Sequence, residues 1–158
     1  MDTTGTFETA ITLQKHKMLT AIHKFYSIKD WEKNVEKLDP NFISVTVGQS
    51  KEDLQLGQKI FSLNSDIKYL CIDVANGYRE DFINSVKNYR ETFPDKIIIA
   101  GNVATREMTE ALILAGADIV KIGIGPGSVC TTRSVAGVGY PQLSVSYTHL
   151  TLPTIITV

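Results

Sequence analysis

The sequence predicts an α/β fold: a partial (β/α)8 TIM barrel with about five parallel strands and intervening helices. Three observations predict it. Short β-branched runs alternate with helical patterns at a period of roughly 25 residues. The runs FISVTV, IKYLCIDV and KIIIA are too apolar to face water on either side, which places them in a parallel sheet covered by helices. Polar residues then follow the C-terminal ends of different runs: Lys24, Asp73, Asn102 and the loop that carries Cys130. A barrel collects a site from many strand ends in this way, whereas a doubly wound open sheet concentrates it at one switch point. About five strands do not close an eight-stranded barrel, so the chain is expected to be a fragment of one.

Each element has its own signal. Residues 6–17 read as a helix with Phe7, Ala10, Ile11 and Leu13 on one side. Residues 19–23 are a short apolar run ending at Lys24. A helix over 30–38 carries Trp31, Val35 and Leu38 at helical spacing, and Pro40 stops it. The strand 42–47 closes on Gly48. Ser50 caps the next helix with Asp53 as its acidic partner, and Leu54, Ile60, Phe61 and Leu63 form the buried side. The strand 67–74 precedes a helix over 79–93 with Phe82, Val86, Tyr89 and Phe93 as its stripe, ended by Pro94. The strand 96–100 leads to a helix over 105–115, capped by Thr105 and ended by Gly116, with Met108, Leu112 and Ala115 on one face. The last strand spans 119–122, and 123–142 read as loop, kept open by Gly137, Gly139 and Pro141.

The chain has 158 residues, enough for one modest domain. Lys and Arg number 16 against 17 Asp and Glu, so no basic surplus points to nucleic acid. Cys71 and Cys130 are the two cysteines, which makes no disulfide framework and fits a reducing, cytoplasmic compartment. No secretory signal opens the chain, and no apolar run approaches the ~20 residues of a membrane span.

The stretch KIGIGPGSVCTTRSVAGVGYPQ, residues 121–142, carries the chemistry. Gly123, Gly125 and Gly127 let the backbone approach a ligand closely, because no Cβ intervenes. Cys130, followed by Thr131, Thr132 and Arg133, is a candidate nucleophile favoured by a nearby cation; the alternative is a small residue in an ordinary turn. Asp73 at a strand end can accept hydrogen bonds from a sugar or an amide, or serve as a helix cap or solvated acid. Lys24 can pair with phosphate or orient a cofactor, or lie on the surface. His23 reads as a packing histidine, His16 as a solvated helix residue and Cys71 as a packing residue inside a strand. No cluster has zinc spacing, whereas carbonyls of Gly125, Gly127 and Cys130 can hold a hard monovalent cation.

GPGSVCTTR followed by GVGYPQLS resembles the catalytic loop of the IMP dehydrogenase and GMP reductase family. MDTTGTFE, TAIHKFYS, CIDVANGY, AGNVAT and LAGADIVKIGIGPGSVCTTR extend the resemblance from Met1 to Ser144. DVANGY, IHKFYS and Tyr140 resemble the reductase branch, while Ser134-Val135-Ala136 is closer to the dehydrogenase form. There is no trace of the regulatory domain pair that most dehydrogenases carry inside the barrel.

The resemblance implies NADPH-dependent reductive deamination of GMP to IMP and ammonia, through a covalent thioimidate on Cys130. Thr132 matches the hydroxyl that relays protons. Lys24, Asp73, Val74, Ala75, Ile124 and Gly125 match NADPH contacts. Ser128 matches an approach to the nucleotide phosphate, and Gly125, Gly127, Cys130 and Arg133 match a potassium loop. The parent protein is expected to be a homotetramer acting on GMP and IMP, with no nucleic-acid or membrane partner. The alternatives are an IMP dehydrogenase fragment, which turns IMP into XMP with NAD, and a non-catalytic nucleotide-binding module.

Residues 1–144 are expected to be the partial catalytic domain. By the same resemblance, Met1-Asp2 looks like the end of an earlier strand. Further strands, glycine-rich phosphate loops and a loop with a catalytic glutamate are expected beyond Ser144. In their place stands VSYTHLTLPTIITV, which has no helical pattern. Its first residues, 145–154, match one reading frame of a translated sequencing adaptor, so 145–158 is expected to be a non-native tail and His149 to have no catalytic role. The alternating Tyr147, Leu150, Leu152 and Ile155 also allow an edge strand. Alone, such a chain exposes strand edges and is expected to be poorly soluble and inactive.

Overall fold

The computed structural model describes residues 3–150, and side chains up to residue 146. The strands β1 (Thr20–Ile22), β2 (Ile43–Val47), β3 (Tyr69–Asp73), β4 (Ile97–Val103) and β5 (Ile119–Ile122) form one sheet in the order β1-β2-β3-β4-β5. Every neighbouring pair is parallel. A doubly wound sheet reverses its strand order at a switch point. This order never reverses, which is the winding of a barrel.

Helices connect the strands: α1 (Phe7–Leu13), α2 (Ile28–Asn34), α3 (Lys51–Leu63), α4 (Glu80–Thr92) and α5 (Arg106–Leu114). Side chains alternate between the sheet's two faces. Ile22, Val45, Val47, Leu70, Ile72, Ile98 and Ala100 join Trp31, Phe82, Val86, Tyr89 and Leu112 in one core beneath the helices. Leu70, Ile72 and Phe82 are wholly buried, and each such side chain contributes about 1.5–3 kcal/mol by leaving water. The register aligns Thr46 with Cys71, Cys71 with Ile99, and Asp73 with Gly101. These residues lie on the opposite, inner face.

Caps fix where the helices begin. The Ser50 hydroxyl accepts Asp53 N–H at 3.1 Å while the Asp53 carboxylate accepts Ser50 N–H at 3.0 Å. This reciprocal pair is the one the sequence predicts. Thr105 caps α5, and Gly116, at φ 105°, ends its last turn. Ser27 and Asp30 form a second reciprocal cap, so α2 begins ahead of the expected Asp30.

Several expectations change. The first helix ends at Leu13 and continues as a 3-10 turn to His16, with Lys17 left-handed at φ 56°. Leu63 points to solvent rather than into the core, since it is the last residue of α3. Strand β4 runs to Val103, past the expected Ala100, because it keeps pairing with β5 across an irregularity between Gly101 and Val103. The 123–142 segment is not all loop: α6 (Thr132–Ala136) forms after the cysteine and Gly137 ends it in a left-handed conformation at φ 67°. A further helix, α7 (Gln142–Leu150), runs where the sequence shows no helical pattern. Val145 explains it: its N–H donates to Pro141 O, and its side chain is buried in a small cluster with Ala104 and Ile124. The Met1-Asp2 strand end, the His149 side chain and residues 151–158 lie outside the described residues.

Candidate functional site

The C-terminal ends of the strands surround a cavity of about 660 Å³, within the size range of ligand sites. Lys24, Asp73, Val74, Ala75, Ile124, Gly125 and Thr132 all line it. They come from loops after β1, β3 and β5, and the sheet brings them together.

Backbone hydrogen bonds fix the walls. Val74 N–H donates to Gly101 O and Asn102 N–H to Val74 O, both at 2.9 Å. The Asn102 side chain donates through Nδ2 to Gly123 O at 2.8 Å. Asn102 thereby joins the Asp73–Ala75 turn to the start of the glycine loop.

The charged groups contact one another. Lys24 Nζ donates to the backbone carbonyl of Asp73 at 3.0 Å. Lys121 Nζ pairs with Asp73 Oδ1. Lys24 is therefore a rim residue braced on the next strand but one, not a loose surface lysine, and the Asp73 carboxylate is an ion-pair partner rather than a helix cap. Lys121 escaped the sequence reading. Its signal was a single cation in the otherwise apolar strand IVKI. Its path to Asp73 lies over Gly101, where a Cβ would stand 2.6 Å from Lys121 Cβ, so a side chain at 101 would push the lysine away.

Cys130 does not itself line the cavity but reaches it through Thr132. The thiol donates to Thr132 Oγ1 at 3.2 Å. Once ionised, it can instead accept from the same hydroxyl, which rotates freely. Hydrogen bonds from the Thr132 side chain and backbone hold the Cys130 thiol below the ordinary value, with the Arg133 charge adding to the effect and desolvation opposing it. Burial pushes the Cys71 thiol up. The two cysteines thus differ in setting: Cys130 is half-buried with its pKa lowered, and Cys71 is buried with its pKa raised. Cys71 packs on the inner face rather than in the core under the helices. His23 stacks on Tyr26 at 4.0 Å, its Nδ1 accepts Phe25 N–H, and it lines the cavity beside Lys24. His16 is exposed. Ser128, Gly127 and Arg133 are exposed, outside the cavity lining.

The donor set suits a nicotinamide nucleotide: two lysines for its charge, a carboxylate, and a glycine backbone at Gly125 with φ 51°. A potassium ion fits less well. The Gly127 carbonyl already accepts Cys130 N–H and Arg133 Nη2, both at 3.1 Å, and a carbonyl oxygen has two lone pairs.

A sequentially wound parallel sheet with polar groups gathered at its C-terminal rim defines a barrel scaffold with a candidate ligand site. The family model described as IMP dehydrogenase / GMP reductase domain matches residues 1–152. The chain belongs to that family. It is 56% identical over 147 residues to the GMP reductase of Buchnera aphidicola subsp. Schizaphis graminum, covering 91% of this chain and 42% of that protein. It is 52% identical, with the same coverage, to the GMP reductase of Vibrio vulnificus strain YJ016. The crystal structure of inosine 5' monophosphate dehydrogenase from Legionella pneumophila superposes with a TM-score of 0.79 at 32% identity, over 92% of this chain and 44% of that one. The chain thus spans about two fifths of the length of the GMP reductases it matches.

Proposed function

We propose that this chain is the part of a GMP reductase that carries its nucleophile and half of its cofactor site. Residues 1–144 form the catalytic part, and 145–158 lie outside it. The observation that supports the reading is one arrangement: the residues expected to contact NADPH line one cavity with Thr132, and Thr132 touches the activated Cys130.

The Cys130 thiolate adds to carbon 2 of the purine of GMP. The carbon–nitrogen bond to the exocyclic amine breaks, and ammonia leaves with protons relayed through the Thr132 hydroxyl. A thioimidate remains on Cys130. When bound, NADPH would supply the hydride that reduces this carbon. The carbon–sulfur bond then breaks, its electron pair returns to Cys130, and IMP is released. GMP, NADPH and two protons become IMP, NADP+ and ammonium. Covalent catalysis divides one difficult substitution into two easier steps. Lys24 and Lys121 would meet the cofactor's negative charge, and Asp73, Val74 and Ala75 would form its wall. Ser128 meets the nucleotide phosphate.

In the full-length protein, NADPH oxidation should depend on GMP, and Cys130→Ser should abolish it. A serine variant that keeps the full rate removes the nucleophile assignment. NAD reduction with IMP, without any GMP-dependent NADPH oxidation, would move the chain to the dehydrogenase branch.

A further inference from the structure

The loop expected to hold a monovalent metal ion already contains a cation of its own. Both lone pairs of the Gly127 carbonyl are in use, one by Cys130 N–H and one by Arg133 Nη2. A metal ion at this oxygen must displace one of these donors. The Cys130 N–H closes the turn that carries the thiol, so its loss would open the loop. The guanidinium is the donor that can leave.

The placement of Arg133 is built into the surrounding chain. A Cβ on Gly139 would lie 2.1 Å from Arg133 Cγ, and one on Gly125 would lie 3.4 Å from the same atom. Gly139 therefore keeps open the slot in which the arginine stem lies, and Gly125 borders it. Tyr140 N–H donates to Ile124 O at 2.8 Å and holds the Gly139 strand of the loop against the first glycines. A guanidinium stays charged across the accessible pH range and offers donors in a fixed fork, so its hydrogen bond to a carbonyl is charge-assisted.

We propose that the Arg133 guanidinium is the resident cation of this loop, and that a monovalent metal ion competes with it instead of adding to it. The loop's order is then independent of potassium in the native chain and becomes dependent on it once the guanidinium is removed.

The test uses the full-length protein in potassium chloride or tetramethylammonium chloride at equal ionic strength. Wild-type Tm should differ between the two salts by less than about 1 °C, whereas Arg133→Met should gain about 3 °C or more in potassium. Crystals grown with rubidium should show anomalous density at Gly127 O in Arg133→Met and none in the wild type. Gly139→Ala provides an independent arm, since its methyl group expels the arginine stem and should create the same potassium dependence. A wild-type Tm that rises specifically with potassium overturns the proposal. So does rubidium bound at Gly127 O while Arg133 still donates to it, or folded variants indifferent to potassium.

Discussion

Two ion pairs brace this sheet at opposite ends, and they are built differently. At the N-terminal end, Arg90 Nε and Nη2 donate to Gly116 O at 2.9 and 2.7 Å. Its Nη1 donates to Pro94 O and Lys96 O at 3.0 Å each, and Nη2 donates to Asp118 Oδ2 at 2.5 Å. Asp118 also accepts Ile98 N–H at 2.7 Å. Arg90 is thus locked into fixed backbone carbonyls of the turn between α4 and β4 and of the turn before β5. At the C-terminal rim, the Asp73 carboxylate meets the flexible ammonium of Lys121, and Lys24 rests on the Asp73 carbonyl. A planar fork on backbone atoms cannot be remade without moving strands. An ammonium on a four-carbon stem can exchange one anion for another. The difference separates the end that holds the sheet together from the end that can receive a ligand.

The largest effect should come from the layer both ends share. Phe82→Ala removes a wholly buried ring and should cost about 3–5 kcal/mol in urea unfolding. A smaller loss would mean that α4 is not the common support. Arg90→Ala should cost about 2–3 kcal/mol, because several carbonyls and Asp118 lose their donor together. Lys121→Met should leave stability within about 1 kcal/mol, as expected of a partly exposed pair. The same change should raise the KM for NADPH by about tenfold, the loss of one charge-assisted contact. Equal stability losses for Arg90→Ala and Lys121→Met would erase the distinction between the two ends.

Thiol chemistry sharpens the comparison on the rim. The Cys130 pKa is lowered first by Thr132, so its thiolate persists to lower pH than that of an ordinary cysteine, and alkylation slows only as pH falls through the lowered value. Thr132→Val should move this midpoint to higher pH and slow alkylation at neutral pH by about threefold or more. Cys71, raised by burial, should stay unlabelled in the folded protein. The smallest effect belongs to Asp30, whose pKa is lowered first by its side-chain hydrogen bond with Ser27. A depressed carboxylate stabilises the fold above its unfolded pKa and loses that contribution as pH falls through the folded value. Ser27→Ala should therefore be less stable than the wild type at neutral pH, with the gap closing in acid. A gap that widens in acid would reverse the sign.

Most of the scaffold was legible because its code is local. FISVTV and KIIIA are β-branched and apolar whatever surrounds them, and Ser50 with Asp53 or Thr105 alone marks a helix start. The rim positions were legible because polar residues at strand ends share one side of any parallel sheet. Contacts between distant positions were not legible. Lys121 reaches Asp73 across 48 residues, and nothing in IVKI names its partner. The Arg133 contact with Gly127 depends on how Gly125 and Gly139 lie beside the stem, which spacing alone does not encode. The α6 and α7 helices were missed because glycines flank the first and β-branched residues lie in the second. Burial of Val145 overrides the weak propensity of that segment.

The unbroken strand order also bears on how the chain is made. Each strand pairs with its immediate predecessor, so a chain leaving the ribosome can add one strand and helix at a time onto structure already in place. Within this sheet no strand waits for a later one before pairing with its predecessor, which keeps loop-closure costs small and folding contacts local. The Lys121–Asp73 pair is an exception. It skips a strand, and it cannot form until β5 has docked on β4. Until β5 arrives the rim is therefore braced by Lys24 on the Asp73 carbonyl alone among these contacts, with the Asp73 carboxylate still without Lys121.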